Sequence, residues 1–98
     1  MTFSIDPAAL AELNDAIHYY ESQRKGLGLE FQAEVLRLIA DIGANPTRWP
    51  TLSRRTRRHR SLRFPYAVVY RATGDSHVHV VALMHGARKP GYWTDRSI

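Results

Sequence analysis

A dense run of arginines near the middle of the chain is the first feature with evident chemistry. Six guanidinium groups fall within ten residues, at Arg54, Arg55, Arg57, Arg58, Arg60 and Arg63. Guanidinium groups hold phosphates and carboxylates through paired, charge-assisted hydrogen bonds. The run therefore predicts contact with a polyanion, although it does not say which one. The alternative is a solvated strand edge whose charges keep other chains away.

A second group of candidate residues begins where a predicted strand ends. His85 lies at the end of this strand, and Arg88, Tyr92 and Trp93 follow within one loop. An imidazole takes or gives a proton near neutral pH, arginine stabilises a phosphorane, and aromatic rings stack on unpaired bases. This combination is what an RNA-cleaving site without a metal would need. The alternative is structural, with Tyr92 and Trp93 packed on a sheet and His85 bonded to a backbone carbonyl.

Three histidines raise the question of a metal site. His77, His79 and His85 are spaced so that, in a regular strand, all three lie on the same side. No nearby carboxylate or cysteine completes a set of ligands. We therefore expect no metal site, and nothing else in the sequence calls for a cofactor.

Two helices in the first half of the chain would support these groups. Asp6 is suited to cap a helix that has Pro7 in its first turn, and apolar residues at spacings of three and four continue to Tyr20. Glycines at 26 and 28 end this helix. The same spacing predicts a second helix over residues 31–42, ended by Asn45-Pro46. Each helix has one apolar face, so we expect the two to form a hairpin that packs on another layer.

That layer is a sheet, because the apolar period changes from 3.6 to 2 in the second half. Strands are predicted over 62–71 and 77–84, with turn residues at 73–76 and a short strand over 2–5. The arginine run is either a further strand or a loop. We predict an α+β fold in the order β-α-α-β-β-β, with an antiparallel sheet packed on an N-terminal helical hairpin. Residues 1–98 are expected to form one domain.

Composition and charge reduce the number of possible functions. The 98 residues carry a net charge of +5, but residues 1–49 hold four basic and seven acidic residues, whereas residues 50–98 hold ten and two. This asymmetry favours a polyanionic partner. There is no cysteine, which excludes disulfides and thiolate chemistry. With no signal peptide pattern and no apolar stretch near the ~20 residues of a membrane span, we expect a cytoplasmic protein without membrane contact.

Several short motifs in a fixed order resemble the RelE/ParE family of bacterial toxins from type II toxin–antitoxin systems. The resemblance covers nearly the whole chain, and its parts are Ile17-His18-Tyr19-Tyr20-Glu21, Gly28-x-x-Phe31, Asn45-Pro46-x-x-Trp49-Pro50, Arg63-Phe64-Pro65-Tyr66-x-Val68-Val69-Tyr70 and His85-Gly86-x-Arg88-x-Pro90-x-Tyr92-Trp93. It implies growth inhibition by the free protein. It also implies neutralisation by a cognate antitoxin, of which an acidic, flexible segment wraps the toxin.

Two targets are known for the family, and the resemblance favours one. The helical hairpin and the Phe-Pro-Tyr-x-Val-Val-Tyr strand look more like the ParE branch, which poisons DNA gyrase. In that reading Arg71, Trp93 and the arginine run form a binding surface. RelE-like members cut messenger RNA on the ribosome. There, His85 would be acid or base, Arg63, Arg71 and Arg88 would surround the phosphate, and Tyr92 would stack or donate. A non-toxic nucleic-acid-binding module is the third possibility.

Overall fold

The computed structural model describes residues 2–53, 55–74 and 76–96, and within them six regular elements. In chain order they are β1 (Thr2–Ile5), α1 (Pro7–Gln23), α2 (Leu27–Ala44), β2 (Arg57–Arg60), β3 (Tyr66–Thr73) and β4 (His77–His85). The predicted α+β class and element order are confirmed. The arginine run, which the sequence left as strand or loop, provides β2.

Local interactions define the helical hairpin. The buried carboxylate of Asp6 accepts a hydrogen bond from the Ala8 N–H at 2.8 Å, so α1 begins with the predicted cap and with Pro7 in its first turn. Gly26 turns the chain with φ of 87°. At the start of α2, a Cβ on Gly28 would lie 2.7 Å from the Ile17 carbonyl oxygen. Only glycine therefore allows the two helices to approach this closely.

The four strands form one sheet in the order β1-β4-β3-β2. The pairs β2–β3 and β3–β4 are antiparallel, as expected, but β1 lies parallel to β4, with Thr2 opposite His77. The sheet is therefore mixed and not wholly antiparallel. Parallel strands need a long connection between them. The helical hairpin follows β1 in the chain and provides such a connection, so β1 can pair in parallel with β4.

The main hydrophobic core lies between the helical hairpin and one side of the sheet, which we call the helix face. Its helical side chains include Phe31, Leu38 and Ile42, and its strand side chains include Val68 and Tyr70. The opposite side, the outer face, carries a smaller core made of Val69, Val81, Ala82, Met84 and Trp93. Both sides of the sheet therefore bury apolar groups, as expected for strands with few polar positions.

A bulge in β4 changes which side chains reach each face. Val69 lies opposite Ala82 and Tyr70 lies opposite Val80, so Val81 is an additional residue in β4. Beyond it, the alternation is inverted: the ring of His85 lies 5.0 Å from that of Tyr66, on the helix face. His77 and His79 lie before the bulge, on the outer face. The prediction that these three histidines share one side is therefore wrong.

No helix among the residues that the structure describes is both long and apolar enough to span a bilayer. Within the same residues, no three metal-binding side chains are grouped together.

Candidate functional site

Strand β2 divides the arginine run into two sets. The side chains of Arg57 and His59 turn to the helix face, where Arg57 donates to the Trp49 carbonyl oxygen at 2.8 Å. The ring of His59 stacks on the Trp49 indole at 3.6 Å, and its Nε2 lies 2.9 Å from an Asp41 carboxylate oxygen. Arg57 and His59 therefore join β2 to α2 and to the loop that follows it.

The other set, Arg58 and Arg60, turns to the outer face. Together with Arg88 these two arginines surround a concave site of about 380 Å³, which we call the arginine cleft. Its floor includes Ala67 and Met84, and no acidic residue lines it among the described residues. Three guanidinium groups around an apolar floor favour a ligand that carries negative charge.

The acidic residues of the first half of the chain belong to the helical layer. The seven carboxylates of the first 49 residues belong to the α1 cap and to the two helices: Asp6, Glu12, Asp15, Glu21, Glu30, Glu34 and Asp41. The charge asymmetry of the sequence is thus an asymmetry between layers, with an acidic helical hairpin and a basic sheet. A polyanion would be attracted to the sheet.

The remaining arginines of the predicted binding surface are dispersed. Arg63 bonds to Glu30 of α2 and lies 4.9 Å over the Phe64 ring, away from the arginine cleft. Arg55 is exposed and lines a separate depression with Arg57 and Arg71. Arg54 lies outside the described residues.

The predicted ribonuclease residues do not converge on the basic surface. Nδ1 of His85 accepts a hydrogen bond from the Ala87 N–H at 2.9 Å, and the groove beside His85 is also lined by Arg88 and by two acidic residues, Glu12 and Asp15. Two carboxylates at that position would repel a phosphate. Arg71 is six residues away along the sheet, opposite His79, so it cannot share a phosphate with His85. The expected grouping of Arg63, Arg71 and Arg88 is therefore not what the structure forms.

Tyr92 and Arg88 form a stacked pair. The Arg88 guanidinium lies 3.7 Å from the centre of the Tyr92 ring. Burial, followed by the nearby charge of Glu12, raises the pKa of Tyr92 to about 12. A phenol with such a pKa exchanges protons poorly near neutral pH.

Trp93 lies within the small core of the outer face. Its side chain is only 3% exposed and packs with Val69, Val81 and Met84. The indole therefore offers no free face to a nucleobase in this conformation, and the stacking role predicted for it does not fit. The structural alternative considered for Tyr92 and Trp93 describes the geometry better.

A set of contacts that the sequence did not indicate protects the free part of the β4 edge. Strand β1 pairs only with residues 77–80, and beyond them the Leu83 N–H donates to Glu12 at 3.0 Å. Arg96 donates to the Val81 carbonyl oxygen and, through two nitrogens, to Glu12, all within 3.0 Å. We call Glu12, Arg96 and the β4 backbone that they bond the Glu12 clasp. Glu12 is 71 residues from Leu83 and 84 residues from Arg96 in the chain, so no local pattern reveals the clasp.

The fold and the cleft together define a class of protein: a small α+β protein with a helical hairpin on one face of a mixed sheet and a basic cleft on the other. Among solved structures, this chain is similar to one described as "Chromosomal ParDE TA system from P. aeruginosa", with a TM-score of 0.70 and 17% identity. The match covers 87% of this chain and 95% of that chain.

Residues 3–90 match the family model described as "ParE toxin of type II toxin-antitoxin system, parDE". The protein therefore belongs to the ParE toxin family. This confirms the prediction that it resembles the ParE branch more closely. No curated protein sequence matches it.

Proposed function

We propose that this protein is a toxin that inhibits bacterial growth by binding DNA gyrase in its complex with DNA. Membership of the ParE toxin family supports the toxin role. The arginine cleft is the observation that carries the proposal further. It concentrates Arg58, Arg60 and Arg88, and no carboxylate among the described residues lines it, although Glu12 lies 3.9 Å from Arg88. A surface of this kind suits an interface with a polyanionic complex.

Binding accounts for the geometry better than RNA cleavage does. A general acid and base must both reach the reacting phosphodiester. Here His85 lies in a groove with two carboxylates, and the Tyr92 hydroxyl donates to the Leu83 carbonyl oxygen at 3.4 Å. Neither group lies in the arginine cleft. Ribosome-dependent cleavage of RNA is therefore the alternative function, and the target assay described below tests for it.

We propose further that a cognate antitoxin neutralises the protein by covering its basic sheet with an acidic segment. The acidic hairpin would repel such a segment, whereas the outer face would attract it. An antitoxin that lies over the arginine cleft would also exclude the target. One surface would then serve both partners.

A plasmid cleavage assay tests the target. Plasmid, purified gyrase, ATP and this protein are incubated, and the reaction is stopped with detergent and protease. We expect linear DNA to accumulate, and to disappear when antitoxin is added first. If the protein stops growth but produces no linear DNA, gyrase is not the target. In that case the ribosome is tested next, with His85→Ala as the first variant.

A matched pair of double variants tests the surface. Arg58→Gln with Arg60→Gln removes two charges from the arginine cleft. Arg24→Gln with Lys25→Gln removes two charges from the exposed end of the helical hairpin. Each charge-assisted contact is worth about 1.5–3 kcal/mol, so the cleft variant should need at least about tenfold more protein for equal cleavage. Equal activity of the two variants would exclude the cleft as the interface.

A further inference from the structure

Two facing residues of the outer face have buried nitrogen atoms without hydrogen-bond partners. Arg71 of β3 lies directly opposite His79 of β4. Among the described residues, no acceptor is found for Nε or Nη1 of Arg71, and no partner for Nε2 of His79, although all three atoms are buried. His79 as a whole is only 9% exposed. Opposite side chains on one face of an antiparallel pair have Cβ atoms about 5 Å apart, so the two side chains leave the sheet as neighbours.

Such an arrangement is costly unless something completes it. A buried N–H without an acceptor loses the hydrogen bonds that water would provide, and the loss is larger for a charged group. Buried polar groups in folded proteins are almost always paired, so each exception needs an explanation. An anion that accepts from both Arg71 and His79 would provide one.

A chain of hydrogen bonds can make Nε2 of His79 a donor. Thr2 Oγ1 lies 2.7 Å from Nδ1 of His77, and Nε2 of His77 lies 2.9 Å from the Ser4 hydroxyl. The same hydroxyl lies 2.6 Å from Nδ1 of His79. If each group donates to the next, Ser4 donates to Nδ1 of His79, and the proton of the imidazole then sits on Nε2. The unpartnered atom becomes a donor that is available to an anion.

The surroundings of Arg71 and His79 are also suited to an anion. Thr73 lines two depressions, one of about 330 Å³ with Arg55, Arg57 and Arg71, and one of about 350 Å³ with Ser4, His77 and His79. Three further threonines line the first of them: Thr47, Thr51 and Thr56. None of the described lining residues is a carboxylate. Cations and hydroxyl groups without an opposing acid match an oxyanion with several acceptor oxygens.

We propose that Arg71, His79 and Thr73, flanked by Arg55, bind a phosphate group. A phosphate offers three or more acceptor oxygens and up to two negative charges, enough for both orphaned groups and their neighbours. The site is distinct from the arginine cleft, whose floor residue Ala67 lies four positions away along β3. It does not depend on gyrase being the target.

Nuclear magnetic resonance of the wild-type protein tests the site directly. The imidazole and arginine side chains are labelled with ¹⁵N, and inorganic phosphate is added at constant ionic strength, with chloride as the reference anion. We expect saturable shifts at His79 Nε2 and Arg71 Nε, and none at His18 or Arg24, which are exposed on the helical layer. Absence of a saturable shift at His79 and Arg71, or equal shifts at all four residues, would overturn the proposal.

Three single variants provide the second test, two that remove one positive charge and one that keeps it. Arg71→Gln should weaken phosphate binding at least about tenfold, whereas Arg24→Gln removes the same charge elsewhere and should leave it unchanged. Arg71→Lys keeps the charge but loses the planar fork, and should also bind more weakly. Wild-type affinity in both Arg71 variants would refute the assignment. Should Arg71→Gln fail to fold, the wild-type titration and Arg71→Lys still decide.

A second ligand distinguishes the sources of the phosphate. A dinucleoside monophosphate carries only an internal phosphodiester, whereas inorganic phosphate resembles a terminal or free phosphate. Arg71-dependent shifts with the dinucleotide would assign the site to a nucleic-acid backbone. Shifts with inorganic phosphate alone would assign it to a terminal or free phosphate. Shifts with neither would overturn the proposal.

Discussion

Replacement of Glu12 by alanine should destabilise the protein far more than the same replacement at an exposed position on α1. The Glu12 carboxylate accepts from the Leu83 N–H at 3.0 Å and from two nitrogens of Arg96 at 3.0 and 2.9 Å. The side chains of Glu12 and Arg96 are only 18% and 17% exposed. Arg88 lies 3.9 Å away but is half exposed, so its contribution is small.

The magnitude follows from these contacts. Loss of the acceptor for the Leu83 N–H costs about 1–3 kcal/mol. Truncation of one partner of a buried ion pair costs about 3–5 kcal/mol, and the remaining exposure of this pair, with Arg96 still bonded to the Val81 carbonyl oxygen, reduces that figure. We expect a total of about 3 kcal/mol, which corresponds to roughly 12–24 °C in Tm for a domain of this size. Glu12→Gln keeps an acceptor and should lose about half as much.

Urea unfolding followed by circular dichroism measures the effect, with Asp15→Ala as the control. Asp15 is exposed on the same helix and should change the free energy of unfolding by less than about 0.5 kcal/mol. An ultraviolet titration of tyrosine provides an independent reading: removal of Glu12 should lower the pKa of Tyr92 from about 12, although burial keeps it above its ordinary value. If Glu12→Ala were as stable as Asp15→Ala, the Glu12 clasp would not hold the β4 edge.

Three other substitutions should each reduce the stability of the folded protein, for three different physical reasons. Gly28→Ala should cost about 1–3 kcal/mol in thermal unfolding, because its Cβ would meet the Ile17 carbonyl oxygen at 2.7 Å; an unchanged Tm would contradict the close helix contact. Trp93→Ala should cost about 3–5 kcal/mol and abolish toxicity through unfolding, and a stable, folded variant in near-ultraviolet circular dichroism would refute this. Hydrogen bonds from Arg37 and Ser61 hold the pKa of Glu34 below its ordinary 4.5, so the stability they provide is present above that pH and is lost as the pH falls through the folded-state pKa. Glu34→Gln should therefore be about 1 kcal/mol less stable than the wild type at pH 7, with the difference closing as the pH falls through the lowered pKa of Glu34, and a constant difference would exclude the linkage.

The helical hairpin could be predicted from the sequence because its signals are local. The Asp6 cap, Pro7 in the first turn and the apolar spacing up to Tyr20 each depend on neighbours within one or two turns. The structure places α1 at Pro7–Gln23, in agreement with them. Strand periodicity likewise revealed β3 and β4, although β3 begins at Tyr66 and not at residue 62 as predicted.

Features that depend on distant partners could not be predicted. The bulge at Val81 arises from the pairing of β4 with β3, and a regular alternation through that residue places His85 on the wrong face. The parallel position of β1 and the Glu12 clasp likewise depend on contacts between the two ends of the described chain. Only a three-dimensional arrangement reveals them.

The candidate site was found in part. The arginine run was recognised by its density, but its division between faces required the knowledge that residues 57–60 form a strand. Once the strand is known, alternation alone separates Arg58 and Arg60 from Arg57 and His59. The orphaned nitrogens of Arg71 and His79 have no signal in the sequence, since arginine is usually exposed and histidine is found at all degrees of burial.

The parallel pairing of β1 with β4 has a consequence for the order in which the molecule assembles. Thr2 and its partner His77 are 75 residues apart, whereas β3 and β4 are joined by a short turn. Contacts between distant residues cost more loop-closure entropy. The β3–β4 hairpin should therefore form early, and β1 should join the sheet last. Ile5→Val should then accelerate unfolding in stopped-flow experiments and leave refolding almost unchanged; slower refolding would place β1 in the folding nucleus. Strand β1 would thus be the last element to reach its native place, and residues 77–80 of β4 would have a free edge until it does.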